Sequence, residues 1–226
     1  MAAATGSTFA GFTPEAVAFL ADLAANNERA WFQPRKAEYE RLLKAPLEAL
    51  CLALAMRFES RGIPLEADPA RSPYRIYRDT RFSQDKSPYK THVSASFPWR
   101  GSGPGGGYFH FQPGEMYVGG GMWHPQPPLL AAWRSTVAAA PDRVHAALDD
   151  PGFVAAFGAV GGERLKRVPT GFPADHPEAE LLKLKDVTFG RRLSDDEALS
   201  PALPEVLADA FASAIPVLRL LAELAG

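Results

Sequence analysis

The residue types able to do chemistry are crowded into one stretch of the chain, Arg75 to His92, which reads Arg-Ile-Tyr-Arg-Asp-Thr-Arg-Phe-Ser-Gln-Asp-Lys-Ser-Pro-Tyr-Lys-Thr-His. These eighteen positions hold three Arg, two Lys, two Asp and one His. An arginine presents a planar fork matched to a carboxylate or phosphate, and a lysine adds a point charge. The expected chemistry is therefore binding of a small anionic ligand. Arg75, Arg78, Arg81, Lys86 and Lys90 are the candidate cations, and Tyr89, Tyr108, His92 and His110 the candidate walls. Such a set suits a ligand that joins negative charge to an apolar or planar body. His92 and His110 are also candidates for acid–base work, because imidazole titrates near neutral pH.

Charge counting supports a binding role. Five fixed cations face only Asp79 and Asp85 within the segment. An unpaired guanidinium left buried costs several kcal/mol, so the surplus must meet water, an external carboxylate or an external anion. Three other readings compete. The arginines could pair with Asp79 and Asp85 and pin a loop to a sheet as an ion-pair staple. The patch could dock an acidic protein segment or single-stranded nucleic acid without catalysis. His92, His110 and His124 with Asp79 could ligate Zn, Fe or Ni, but no tight ligand spacing is present and the neighbouring arginines repel a cation, so no metal is expected.

The elements that must position these groups follow from periodicity. Residues 74–80, 91–97, 107–112 and 116–122 alternate with period two and are separated by Gly and Pro, which predicts a mostly antiparallel sheet over about residues 73–124. Alternation puts Tyr74, Ile76 and Arg78 on one face of the first run, and His92, Ser94 and Ser96 on the polar face of the second. Tyr108 and His110 share the polar face of the third. If these faces coincide, an arginine, two histidines and a tyrosine meet on one sheet surface. The Gly-rich run 101–107 reads as a flexible loop and not a phosphate-cradling one, since no Gly-Lys-Ser/Thr follows it.

Helices flank the sheet. Thr13-Pro14-Glu15 opens one over 13–25, with Val17, Leu20, Leu23 and Ala24 at helical spacing and Asn26-Asn27 as its end. A second runs over roughly 30–60, interrupted at Pro34 and near Pro46. Further helices are expected from 127, after Asp150-Pro151, over 177–185, and as a pair or a bent single helix over 201–225. Residues 163–168 read as a short edge strand, and Trp99 beside the glycine loop as exposed. The fold class is α+β, with one domain over 9–226 and a disordered tail over 1–8.

The string Arg75-Ile76-Tyr77-Arg78-Asp79-Thr80-Arg81-Phe82, followed by Asp85-Lys86 and Pro88-Tyr89-Lys90-Thr91-His92, resembles a family of uncharacterised proteins of bacteria and fungi known only as a domain of unknown function. The likeness extends to the opening Phe12-Thr13-Pro14-Glu15, Asn26-Asn27, Trp31-Phe32, Gly119-Gly120-Gly121-Met122-Trp123 and Leu181-Leu182-Lys183. It implies one compact α+β domain. It brings no assigned activity, no cofactor and no catalytic residues.

Composition bounds the rest. The chain has 226 residues, 46% hydrophobic and 22% charged, enough for a sizeable core. A net charge of −2 supplies no general attraction for nucleic acid or anionic membrane. The single cysteine, Cys51, cannot form an internal disulfide and sits in a helical pattern as an expected inert thiol. With no secretory leader pattern at Met1–Thr8 and no apolar run long enough to span a bilayer, the expected location is the cytoplasm. No motif calls for a cofactor or a particular oligomeric state.

Overall fold

The computed structural model describes residues 8–101 and 103–225. The expected tail therefore lies outside the described residues apart from Thr8, which is exposed and without regular structure. Helix α1 (Pro14–Ala25) starts where Pro14 occupies the first turn, and it buries Ala16, Phe19, Leu20 and Leu23. The second helical stretch is broken up more finely than the sequence predicts. It runs as α2 (Arg29–Phe32), a 3₁₀ turn at Gln33–Arg35, α3 (Lys36–Tyr39), a π turn at Glu40–Lys44, and α4 (Ala45–Ser60). The π turn falls where Pro46 would otherwise clash with the carbonyl one turn earlier, and a widened turn is how a helix takes up that ring.

The sheet has four strands in the order β1 (Val93–Pro98), β2 (Gly106–Phe111), β3 (Tyr117–Met122) and β4 (Val187–Arg192), all antiparallel. Three of the four predicted runs are strands. The run 74–80 is not: it carries only isolated bridges, Pro73 to Ala95 and Tyr77 to Tyr89. The fourth strand of the sheet is instead β4, at the opposite edge beside β3, which sequence patterning missed. Gly106 and Gly107 of the expected flexible loop open β2. Between β3 and β4 lie α5 (Pro127–Ala139), α6 (Pro141–Leu148), α7 (Pro151–Phe157) and α8 (Ala179–Leu182). The Asp150 side chain accepts from the Phe153 backbone N–H at 3.0 Å and so caps α7. The helix expected over 177–185 shrinks to α8. The edge strand expected at 163–168 is only a bridged segment, with Arg164 against Leu184.

After β4 come α9 (Asp195–Leu199), opened by a Ser194/Glu197 capping box, then α10 (Leu203–Ser213) and α11 (Ile215–Ala222). The final helices form a pair, divided just before Pro216. One face of the sheet, with Ala95, Phe97, Phe109, Phe111 and Val118 fully or almost fully buried, packs on helices. Phe58 of α4 and Phe211 of α10 meet Phe97 edge-on at 5.8 and 5.4 Å, and Phe12 stacks on Phe111 at 4.2 Å. The N- and C-terminal helices are thereby clamped to one face, and the opposite face is left open. No helix among the described residues is long and apolar enough to cross a membrane.

Candidate functional site

Cross-strand partners in an antiparallel sheet carry their side chains on the same face, so the register assigns the open face rung by rung. The first rung is Ser94, His110, Tyr117 and Arg192; the second is Ser96, Tyr108, Gly119 and Gly190; the third is Pro98, Gly106, Gly121 and Thr188. Bulky side chains stand on the first rung, and glycines empty much of the next two. The result is a cleft of about 620 Å³ with a glycine floor. The glycines are required by the backbone. A Cβ on Gly119 would lie 2.3 Å from the Phe189 carbonyl oxygen, and one on Gly121 2.1 Å from that of Val187.

One wall of the cleft comes from outside the sheet. Residues 72–92 form a finger that leaves the β1 edge, where Tyr74 N–H donates to the Ser94 carbonyl at 2.9 Å. The finger closes on itself through Lys90 N–H to the Ile76 carbonyl at 2.8 Å and Arg78 N–H to the Pro88 carbonyl at 2.9 Å. It is anchored below by Tyr89, whose ring is 1% exposed and stacks on Phe32 at 4.1 Å. The Asn27 side chain clamps the Tyr89 backbone, donating to its carbonyl at 2.9 Å and accepting from its N–H at 3.1 Å. Asn27, read from sequence only as a helix end, is therefore a positioning residue. Tyr89, expected as a ligand wall, has its ring in the core, because Phe32 offers it a buried stacking partner.

The finger delivers Tyr74, Lys90 and His92 to the cleft, where they join Ser94, Ser96, Tyr108, Tyr117, Thr188 and the exposed Trp123. The His92 and His110 rings lie 4.3 Å apart, and His110 stacks on Tyr117 at 4.8 Å. His110 is 7% exposed. Its Nδ1 is 3.1 Å from the Tyr108 hydroxyl and its Nε2 is 3.3 Å from Gln112 Oε1. With Gln112 accepting from Nε2–H, the Tyr108 hydroxyl donates to Nδ1. Burial, then the neighbouring His110 and Lys90 charges, bring His92 down to about 4. Burial also lowers His110, against the pull of Gln112 and Glu115. Burial raises Tyr108 and Tyr117, and for Tyr117 the adjacent Tyr108 adds to the rise. At neutral pH the row is thus a set of uncharged donors and acceptors. The cation in the cleft is Lys90, whose ammonium lies 4.9 Å from the Tyr74 ring centre.

The arginines behave otherwise than the sequence expectation of a clamp. Arg78 is paired with Asp85 and also donates to the Ser87 carbonyl at 3.4 Å. Arg81 holds Asp79 with two nitrogens, Nε at 3.0 Å and Nη2 at 2.6 Å. That pair keeps Asp79 down at about 2, and Ser87 and Arg78 together hold Asp85 well below the usual carboxylate range. Lys86 donates to the Thr80 carbonyl at 2.9 Å. Arg75 is exposed and adds its field to Lys90. Arg78, Lys90 and His92 do come together, around a second hollow of about 350 Å³ shared with Asn27 and Asp85, but Lys86 does not join them.

Other sequence candidates lie elsewhere. His124 sits against the buried Asp186, with its Nδ1 3.5 Å from the carboxylate, and no cluster of three or more His, Cys, Asp or Glu suited to a metal occurs among the described residues. Cys51 is fully buried and pushed up to about 12, mainly by that burial, so it has no nucleophilic character at neutral pH. Trp99, expected at the surface, is half-buried against the core; Trp123 is the exposed one. Sequence reasoning missed Tyr74, Tyr117 and Thr188. Tyr117 was legible, since it leads the alternation Tyr117, Gly119, Gly121 on one face of β3.

In class, this is an α+β protein whose helices cover one face of an antiparallel sheet and whose other face carries an aromatic, imidazole-lined cleft. The chain belongs to the family described as "Conserved hypothetical protein (DUF2461)", whose model matches residues 15–219. Comparison with curated proteins and with solved structures returns no match.

Proposed function

We propose that the protein binds a small ligand with one anionic group and a planar body in the cleft on the open face of its sheet. The observation that carries this is the lining. Lys90 is its only fixed charge among the described residues, no carboxylate opposes it, and three tyrosines, His92 and Trp123 stand around a bare glycine floor. A carboxylate or phosphate gains from Lys90, while a flat body gains from the aromatic faces and the floor. Uncharged His92 and His110, with the Tyr108 hydroxyl beside them, are the groups available for acid–base chemistry on such a ligand. We place this activity in the cytoplasm, where a single reduced thiol such as Cys51 is at home. A staple role fits the finger's own arginines, since Arg78 and Arg81 are both paired to carboxylates of the finger.

The test is stability in benzoate and phenyl phosphate against chloride at matched ionic strength. A specific ligand at a hundredfold excess over its Kd stabilises by about 2.7 kcal/mol. Lys90→Ala removes this gain, and Arg78→Ala keeps it. If neither probe stabilises the wild-type protein, the proposal is wrong.

A further inference from the structure

We propose that Lys90 is a carbonyl-reactive amine, forming an imine with a planar 2-oxo acid bound in the cleft. The inference rests on the ligand reading above and specifies its class: the anionic group is a carboxylate and a keto carbon stands next to it. The first support is a comparison among the seven lysines. Lys36, Lys44, Lys183 and Lys185 are each ion-paired to a glutamate, Lys86 donates to a carbonyl, and Lys166 is exposed. Lys90 alone lines the large cleft, and its ammonium has no hydrogen bond or ion pair among the described residues. Lys86, Lys90 and Lys166 lack a carboxylate partner among the described residues, and an amine not held by a carboxylate is freer to leave its charged form; of the three, Lys90 is the one in the cleft.

Two influences oppose each other at Nζ. The Tyr74 face favours the ammonium. Burial, and then the Arg75 charge, favour the free amine and lower Lys90 from its usual value. The carboxylate of an incoming 2-oxo acid is drawn toward Lys90, with Arg75 adding its field from outside the cleft lining, and the adjacent keto carbon then comes near Nζ. The chemistry then balances without oxidant or reductant. The ammonium gives a proton to water. The Nζ lone pair forms the C–N bond as the carbonyl π pair moves to oxygen, which is protonated. Nitrogen gives up one proton to leave a neutral carbinolamine; a second proton is then delivered to its hydroxyl, the C–O bond breaks as water leaves, and the nitrogen lone pair closes the C=N bond of a protonated imine. His92 and the Tyr108 hydroxyl line the same cleft and can carry protons between nitrogen and the departing oxygen.

The experiment treats the full-length protein with phenylglyoxylate and cyanoborohydride at pH 7, then maps the reduced adduct by peptide mass spectrometry. Lys90 is expected to be labelled about tenfold over Lys166, the scale of preference that positioning and a freer amine confer over an exposed lysine. Lys90→Arg keeps a cation beside Tyr74, loses the adduct at that position and leaves Lys166 labelling unchanged, while a circular dichroism spectrum and melting transition like those of the wild type report an intact fold. Uniform labelling, or Lys166 labelled above Lys90, overturns the inference. A thermal scan with phenylglyoxylate separates the two ideas. Stabilisation without an adduct at Lys90 sinks the imine and leaves the anion site standing. An adduct at Lys90 with no stabilisation by phenylglyoxylate, benzoate or phenyl phosphate shows a reactive lysine without a ligand site and overturns both.

Discussion

The two adjacent imidazoles, His92 and His110, make folding stability fall in mild acid, and His92 carries most of the effect. In the unfolded chain His92 has its ordinary value of 6.5, and in the folded protein it lies at about 4. The folded state therefore binds fewer protons through this interval, so the contribution is fully present above pH 6.5 and is lost as pH falls toward 4. At about 1.4 kcal/mol per tenfold change in proton affinity the ceiling is about 3 kcal/mol. The ring is partly open to water, and screening reduces this to roughly 1–2 kcal/mol. The geometry supports the direction, because protonating both rings sets two cations 4.3 Å apart, a repulsion of about 4 kcal/mol at an effective dielectric of 20. The perturbation is His92→Gln, which keeps a polar side chain and removes the titration. Urea unfolding of both proteins from pH 8 to pH 4.5 is the assay. The stability difference between them should shift by about 1–2 kcal/mol in favour of the variant as pH falls. The Asp79 and Asp85 carboxylates titrate in both proteins and cancel. Parallel profiles across pH 7 to 5 would refute the argument.

Removing the Asn27 clamp by Asn27→Ala strands both polar groups of the buried Tyr89 backbone and should cost about 1–3 kcal/mol, with faster hydrogen exchange at the Tyr89 amide as the local readout. Gly121→Ala places a Cβ 2.1 Å from the Val187 carbonyl oxygen at a φ of 111°, whereas Gly114→Ala meets open space at a φ of 73°. The first should lower the urea midpoint far more than the second, whose cost is about 1 kcal/mol of left-handed backbone strain. A double-mutant cycle on Arg78 and Asp85 should give a coupling of about 0–1 kcal/mol, the range for solvent-exposed ion pairs; a coupling of several kcal/mol would mean the pair is the finger's main brace.

The sequence made the polar face of the sheet legible and hid most of what surrounds it. Alternation in β1 and β2 correctly put Ser94, Ser96, Tyr108 and His110 on one face, because one buried face imposes period two. β4 escaped because its ladder partner, β3, is about seventy residues earlier in the chain, beyond the reach of local pattern. The run 74–80 alternates like a strand, yet it pairs chiefly with residues 88–90 of its own finger, so its alternation serves the finger and not the sheet. Charge counting found the surplus correctly: five cations less two carboxylates leaves three. It could not say which three, because that depends on which cation the fold brings to Asp79 and Asp85. Arg81 reaches Asp79 two residues away, and Arg78 reaches Asp85 only because the finger folds back between them. Once those pairs form and Lys86 turns to Thr80, Arg75 remains at the surface and Lys90 alone is carried into the cleft. The backbone pairing that fixes this outcome is Lys90 to Ile76, one residue beyond the Tyr89 that Asn27 and Phe32 hold. The selection of one cation from five is thus made by the anchoring of an aromatic residue in the core, and the residues that decide it carry no charge at all.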